Sequence, residues 1–126
     1  MSQQQRAMVV DDSRAIRMIL GRTLREMGWQ VAEAHNGRDA WGRLTAQAEP
    51  FALILVDWNM PEMNGIEFVR AVRGDSRYAE TKLMMVTTET QVEQIMTALE
   101  AGANEYVMKP FTSDVIHGKL RLLGLE

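Results

Sequence analysis

The sequence predicts an α/β domain, a parallel sheet with helices on both faces. Two observations predict it. Short apolar, β-prone runs and segments of helical period alternate five times along the chain, the pattern of strands joined by right-handed helical crossovers. One run, residues 51–56 (FALILV), is apolar at both parities, as a strand covered on both faces must be. The chain's 126 residues, 46% of them hydrophobic and 25% charged, suffice for one domain with a real core.

The elements follow in order. Residues 7–10 (AMVV) form the first strand and run into Asp11-Asp12. Ser13 is placed to cap a helix in which Ile16, Ile19, Leu20, Leu24 and Met27 recur at helical spacing until Gly28. Residues 29–35 (WQVAEAH) alternate in part, which suits a strand near an edge, and Asn36-Gly37 is a turn signal. A weaker helix covers 38–48 around Trp41 and Leu44. The strand at 51–56 stops on Asp57. After Asn64-Gly65 a helix carries Phe68, Val69 and Val72. Residues 82–87 (KLMMVT) are the fourth strand, followed by a helix with Val92, Ile95, Met96 and Leu99 at i, i+3, i+4, i+7 that Gly102 closes. Residues 105–108 (EYVM) are the fifth strand, ended by Lys109-Pro110, and the last helix starts at about 113. No repeat, linker or low-complexity tract interrupts the pattern, so the chain reads as one domain over 1–126 with no output domain.

Composition excludes several function classes. There is no cysteine, hence no disulfide framework, thiolate metal site or cysteine nucleophile. The net charge of -3 and the lack of a basic block argue against nucleic acid as a partner. No leader-like segment and no apolar run near the roughly 20 residues of a membrane span is present, which points to a cytoplasmic protein without a membrane partner.

The polar residues fall where a ligand would bind. In a parallel sheet every strand's C-terminal end lies on one edge, and ligands bind there where the strand order reverses. On that edge the sequence places Asp11-Asp12, Asp57, Thr87-Thr88 and Lys109. Two carboxylates about 4 Å apart repel by about 4 kcal/mol at an effective dielectric near 20, which a divalent cation would offset. An all-oxygen donor set favours Mg²⁺ over zinc. A carboxylate can be a nucleophile that forms an aspartyl phosphate, lysine suits phosphate charge as a compact cation, and a hydroxyl such as that of Thr87 can bind phosphoryl oxygens. Together these groups suggest Mg²⁺-dependent phosphorylation of one of the aspartates. Taken singly, each has an ordinary structural role: a helix N-cap for Asp11 or Asp12, a turn hydroxyl for Thr87, a solvated strand end for Lys109.

VVDDS, LVDWNMP with the later NG, MVTTE and VMKPF, each at the end of its expected strand, resemble the receiver domains of two-component response regulators, and the resemblance spans the chain. It implies a flavodoxin-like fold with strand order 2-1-3-4-5. It implies Asp57 as phosphoacceptor from a histidine kinase, Asp12 and Asp57 with the backbone carbonyl of Asn59 as direct Mg²⁺ ligands, and Asp11 acting through metal-bound water. Lys109 would pair with the phosphoryl group, with Lys109-Pro110 cis. Thr87 would be the switch hydroxyl, and Tyr106 the aromatic that changes rotamer with it. The face made by the fourth helix, fifth strand and fifth helix would then favour a target. Such a receiver is a signalling protein that catalyses only its own phosphorylation and dephosphorylation.

DWNMP, Thr87-x-Glu89, Tyr106 and KPFT are most similar to the single-domain chemotaxis members, which implies the flagellar motor switch as target. The positions of Asn59 and Glu89 tune dephosphorylation in the family and here match its fast type, and a phosphatase is a further implied partner. Thr88 is larger than the alanine usual in chemotaxis members, and residues 90–94 give no clear match to a motor-binding surface. The alternative within the family is a stand-alone receiver that serves as phosphorelay intermediate, phosphate sink or regulator of another partner. Two outside readings fit less well. A haloacid-dehalogenase-type phosphatase would carry an aspartate where Asn59 stands. An FMN-binding flavodoxin would have a threonine- and glycine-rich loop where DDSRA stands.

Trp58 is expected as an aromatic wall beside Asp57, and Trp29 and Trp41 as packing. Of the ten methionines, Met96 and Met108 are expected on the output face and most others in the core. His35 and His117 are read as structural.

Overall fold

A computed structural model of the chain describes residues 5–88 and 91–125. In chain order the elements are β1 (Arg6–Val10), α1 (Arg14–Glu26), β2 (Gln30–Ala34), α2 (Gly37–Thr45), β3 (Leu53–Val56), α3 (Gly65–Arg73), a 3₁₀ turn at Ser76–Tyr78, β4 (Lys82–Thr87), α4 (Val92–Ala101), β5 (Glu105–Met108) and α5 (Ser113–Leu122). The five strands pair in parallel in the order β2-β1-β3-β4-β5, the order the resemblance implied. No helix among the described residues is long and apolar enough to cross a membrane.

The two-residue period of the strands splits the core into two layers. Met8, Val10, Ile54, Val56, Leu83 and Met85 pack with residues of α2, α3 and α4. Their neighbours in sequence, Ala7, Val9, Leu53, Leu55, Met84 and Val86, pack with Leu20 and Leu24 of α1 and Ile116 and Leu120 of α5. This is why residues 51–56 read as apolar at both parities: β3 is central and every one of its residues is buried. The edge strand β2 has one fully buried residue, Ala34, in keeping with its partial alternation.

Local sequence fixes the helix starts. Ser13 caps α1 by accepting from the Ile16 N–H, and Asn36 caps α2 by accepting from Asp39. Asn64-Gly65, expected just ahead of the third helix, is its start: Asn64 is the N-cap and Gly65 the first residue of α3. Asn64 accepts from the Glu67 N–H and the Glu67 side chain accepts from the Asn64 N–H, a full capping box. The expected helix at 38–48 begins one residue earlier and ends three earlier, where Ala46 takes the C-cap.

Helix α4 turns most of its large apolar residues outward, Met96 among them as expected. The apolar series at 92, 95, 96 and 99 marks the helix correctly, but Val92, Met96 and Leu99 are exposed, and Ala98 is its fully buried residue. Periodicity locates a helix; it does not say which face packs when small residues make the contact.

The far end of α4 is held by Arg73. Its guanidinium donates to the carbonyls of Gly102 (2.8 Å), Tyr78 (3.1 Å) and Thr81 (2.8 Å) and to Asn104 Oδ1 (2.7 Å). Burial lowers its pKa. Gly102, at φ +120°, has no room for a side chain, because a Cβ there would lie 2.3 Å from Arg73 Cγ. Replacing Arg73 by alanine should therefore cost about 2–3 kcal/mol, since it strands several partly buried carbonyls at once. Urea denaturation would measure it, with a loss below about 0.5 kcal/mol meaning that water replaces the guanidinium.

Candidate functional site

The sheet register assembles the site. Val10 pairs with Val56, so the residues after them, Asp11 and Asp57, leave the sheet side by side between β1 and β3. Strand order reverses here, because β1 pairs with β2 on one side and β3 on the other. The backbone continues the ladder: the Asp57 N–H donates to Val10 O (2.9 Å) and the Asp11 N–H to Ala34 O (3.1 Å). On the other side Thr87 pairs with Met108, and the Lys109 N–H donates to Thr87 O (2.8 Å).

The carboxylates of Asp11, Asp12 and Asp57 each offer an oxygen, and these oxygens lie within 4.8 Å of one another. Asp11 and Asp57 are buried, at 2% and 7% exposure, while Asp12 is open to solvent. Lys109 Nζ lies 2.7 Å from Asp11 Oδ2 and 3.4 Å from Asp57 Oδ2. Among the described residues it is the cation that pairs with this cluster, so the carboxylates outnumber the ammonium. Asp11 Oδ1 accepts from the Ser13 N–H (2.8 Å) and Asp57 Oδ1 from the Trp58 N–H (2.8 Å). Asp12 makes no hydrogen bond or ion pair with the described residues. Such a cluster of hard oxygen donors, with one face open to water and less positive than negative charge, is suited to a divalent cation that keeps several waters.

The Lys109–Pro110 peptide is cis, as expected. Thr87 is fully buried at the end of β4, and Thr88 beyond it is exposed. Tyr106 is half-buried and packs against the core layer under α3 and α4. Asn59 is exposed in the β3–α3 loop. Glu89 and Thr90 lie outside the described residues. Trp58 is half-buried beside Asp57 and packs on the same core layer as Tyr106, Trp29 is buried, and Trp41 meets Tyr78 edge to face with ring centres 6.1 Å apart. His35 is exposed and its Nδ1 sits 2.9 Å from Asp39 Oδ2.

The start of α3 presses on the back of Asp57. The Gly65 N–H donates to Trp58 O (2.9 Å), and a Cβ at Gly65 would lie 2.2 Å from Asp57 O. Backbone cannot yield as a side-chain tip can. Gly65→Ala should therefore destabilise the fold by about 1–3 kcal/mol. Gly118→Ala, in α5 with open space around it, should instead stabilise by up to about 1 kcal/mol through helix propensity. Thermal melts of both variants test this, and equal melting temperatures would contradict it.

One surface stands apart from the carboxylates. Val92, Met96 and Leu99 of α4, Met108 of β5, and Val115 and Leu122 of α5 are all exposed large apolar residues. Their elements, α4, β5 and α5, follow one another in the chain, with β5 at the edge of the sheet, and Met96 and Met108, expected on the output face, are exposed.

Sequence reading did not single out Arg17. Its Nη1 donates to Asp11 O (2.7 Å) and its Nε to Glu33 Oε1 (3.2 Å). Nothing in an arginine at the start of an amphipathic helix marks it as part of a site, because its partners come from the ends of β1 and β2.

Comparison with known proteins agrees with the geometry. Residues 7–121 match the family profile of the response regulator receiver domain. Chemotaxis protein CheY1 of Helicobacter pylori is 47% identical over 117 residues, covering 92% of this chain and 94% of that protein. A chemotaxis protein CheY homolog of Campylobacter jejuni is 46% identical over 114 residues, covering 90% and 87%. The crystal structure of Vibrio cholerae chemotaxis protein CheY4 matches with a TM-score of 0.88 at 36% identity, covering 96% of this chain and 99% of that one.

Proposed function

This chain belongs to the response regulator receiver family, and from that premise we propose that it is a Mg²⁺-dependent phosphorylation switch with Asp57 as phosphoacceptor and a chemotaxis target as output. Membership makes it a signalling protein whose phosphodonor is a histidine kinase. The observation that carries the finer reading is the convergence of the Asp11, Asp12 and Asp57 oxygens within 4.8 Å, with Lys109 reaching two of them.

Asp12 and Asp57, with the Asn59 carbonyl, would hold the ion directly, and Asp11 would hold it through water. The bound ion supplies charge neutralisation for the phosphoryl oxygens and offsets the repulsion among the carboxylates. Asp57 is the nucleophile: one of its oxygens forms a bond to phosphorus as the bond from phosphorus to the donor breaks, and the electron pair leaves with the donor. The Trp58 N–H and Lys109 fix the direction of the Asp57 carboxylate before the reaction, which a loose phosphoryl transition state needs more than covalent help. Lys109 then turns its ammonium to the new phosphoryl charge. The Thr87 hydroxyl is drawn to a phosphoryl oxygen, and Tyr106 fills the space it leaves. Asn59 and Glu89 tune hydrolysis of the acyl phosphate, to which a phosphatase adds.

Tyr106 lies in β5, between the helices that carry the exposed apolar residues Met96, Leu99 and Val115. That surface supports docking of a protein target in the phosphorylated state. The relatives at 46–47% identity are chemotaxis proteins, which favours a chemotaxis output, and the resemblance carried by DWNMP, Thr87-x-Glu89, Tyr106 and KPFT points to the flagellar motor switch.

A beryllofluoride titration in Mg²⁺, followed by tryptophan fluorescence, should saturate. The saturated protein should then be retained by immobilised motor switch protein more strongly than the untreated one. Saturation without retention would replace the motor target with a phosphorelay, phosphate-sink or other-partner role. No response to beryllofluoride would overturn the phosphoacceptor reading.

A further inference from the structure

We propose that Arg17 is a positioning residue of the metal site: braced by Glu33, it fixes the peptide between Asp11 and Asp12 and so aims the Asp12 carboxylate. The proposal rests on reading the three carboxylates as a cation site.

The three carboxylates are not held alike. Asp11 is held by the Ser13 N–H and Lys109, and Asp57 by the Trp58 N–H and Lys109. Asp12 has no such bond among the described residues and is exposed, so its direction depends on its backbone. The carbonyl of Asp11 and the Cα of Asp12 lie in one peptide plane. Fixing that carbonyl leaves Asp12 only its own torsions. Arg17 Nη1 donates to this carbonyl at 2.7 Å while its Nε donates to Glu33 Oε1 at 3.2 Å. The Arg17 side chain is 17% exposed and Glu33 34%, and Arg25 Nη2 lies 3.7 Å from the second Glu33 oxygen. A planar guanidinium can serve a carbonyl just beyond β1 and a carboxylate on β2 at the same time, which a single ammonium does less well.

The sign of the effect separates positioning from plain electrostatics. Removing a positive charge near a cation site should by Coulomb's law tighten cation binding. Losing a group that orients a ligand should weaken it, by 10–100-fold in typical metal sites. Because one ligand of three is loosened, Arg17→Ala should raise the Mg²⁺ dissociation constant by about tenfold, at the low end of that range.

The test is a Mg²⁺ titration of the full chain by tryptophan fluorescence, with circular dichroism to establish that each variant is folded. Arg17→Ala should bind about tenfold more weakly, and Arg17→Lys should fall between it and the wild type. Arg22→Ala removes an exposed charge from the same helix and should bind as the wild type does or slightly tighter. Amide exchange at Ser13 in EDTA should speed up in Arg17→Ala. An affinity equal to or tighter than wild type in folded Arg17→Ala would overturn the proposal. Should Arg17→Ala fail to fold, unchanged affinity in both Arg17→Lys and Glu33→Gln would overturn it equally. A folded wild type that shows no Mg²⁺ response would remove the cation site itself, and the proposal with it, before any variant is compared.

Discussion

Lys109→Ala is expected to destabilise the metal-free protein by about 3 kcal/mol, at the lower end of what losing one partner of a buried ion pair costs. The melting temperature in EDTA should fall by on the order of 10 °C. Asp11 is 2% exposed and its Oδ2 lies 2.7 Å from the ammonium, so it would be left with the Ser13 N–H as its remaining described side-chain contact. Asp57 would lose the cation at 3.4 Å. The loss stays at the low end because both carboxylates keep a backbone N–H. A divalent cation should replace part of the missing charge. Mg²⁺ should therefore raise the melting temperature of Lys109→Ala by more than it raises that of the wild type, since ligand that binds the folded state stabilises it by mass action. Melts of both proteins in EDTA and in Mg²⁺ test this. An equal response to Mg²⁺ would mean that the lysine and the ion do not share a site.

Asp57→Asn should abolish phosphorylation outright while leaving the fold intact. The amide is nearly isosteric, its oxygen can still accept from the Trp58 N–H, and the bond between Lys109 and Asp11 is untouched. What would be lost is the proposed nucleophile, together with one like charge from the cluster of three. With acetyl phosphate and Mg²⁺ the variant should acquire no phosphoryl adduct, and its melting temperature in EDTA should equal or exceed that of the wild type, because repulsion with Asp11 and Asp12 is relieved. Persistence of a Mg²⁺-dependent adduct would move the phosphoacceptor to Asp11 or Asp12. A large drop in melting temperature would instead show that the Asp57 charge is needed to hold Lys109.

The fold was legible in the sequence because each strand of a parallel sheet announces itself twice, by an apolar run and by the polar residue that ends it. Val10 before Asp11 is the register partner of Val56 before Asp57, and Met108 before Lys109 is the partner of Thr87, so lining up strand ends reproduces the edge of the sheet. Helix caps are local and were legible at Ser13; the capping box from Asn64 to Glu67 carries the same kind of signal. The short 3₁₀ turn at Ser76–Tyr78 has no periodicity to betray it. The outward turn of Val92 and Leu99 was not legible, because the fully buried residue of α4 is Ala98 and not one of its larger residues. Arg17 with Asp11 and Glu33, and Arg73 with Gly102, Thr81 and Asn104, join segments whose proximity exists only after folding.

The central claim is that the buried strand β3 runs out onto a carboxylate because that carboxylate takes a phosphoryl group. The measurement that meets it most directly is the intact mass of the wild-type protein after incubation with acetyl phosphate, with Mg²⁺ and with EDTA. One phosphoryl adduct in Mg²⁺, absent in EDTA, is the predicted result. An unmodified mass in both, in a protein that also fails to respond to beryllofluoride, would contradict it.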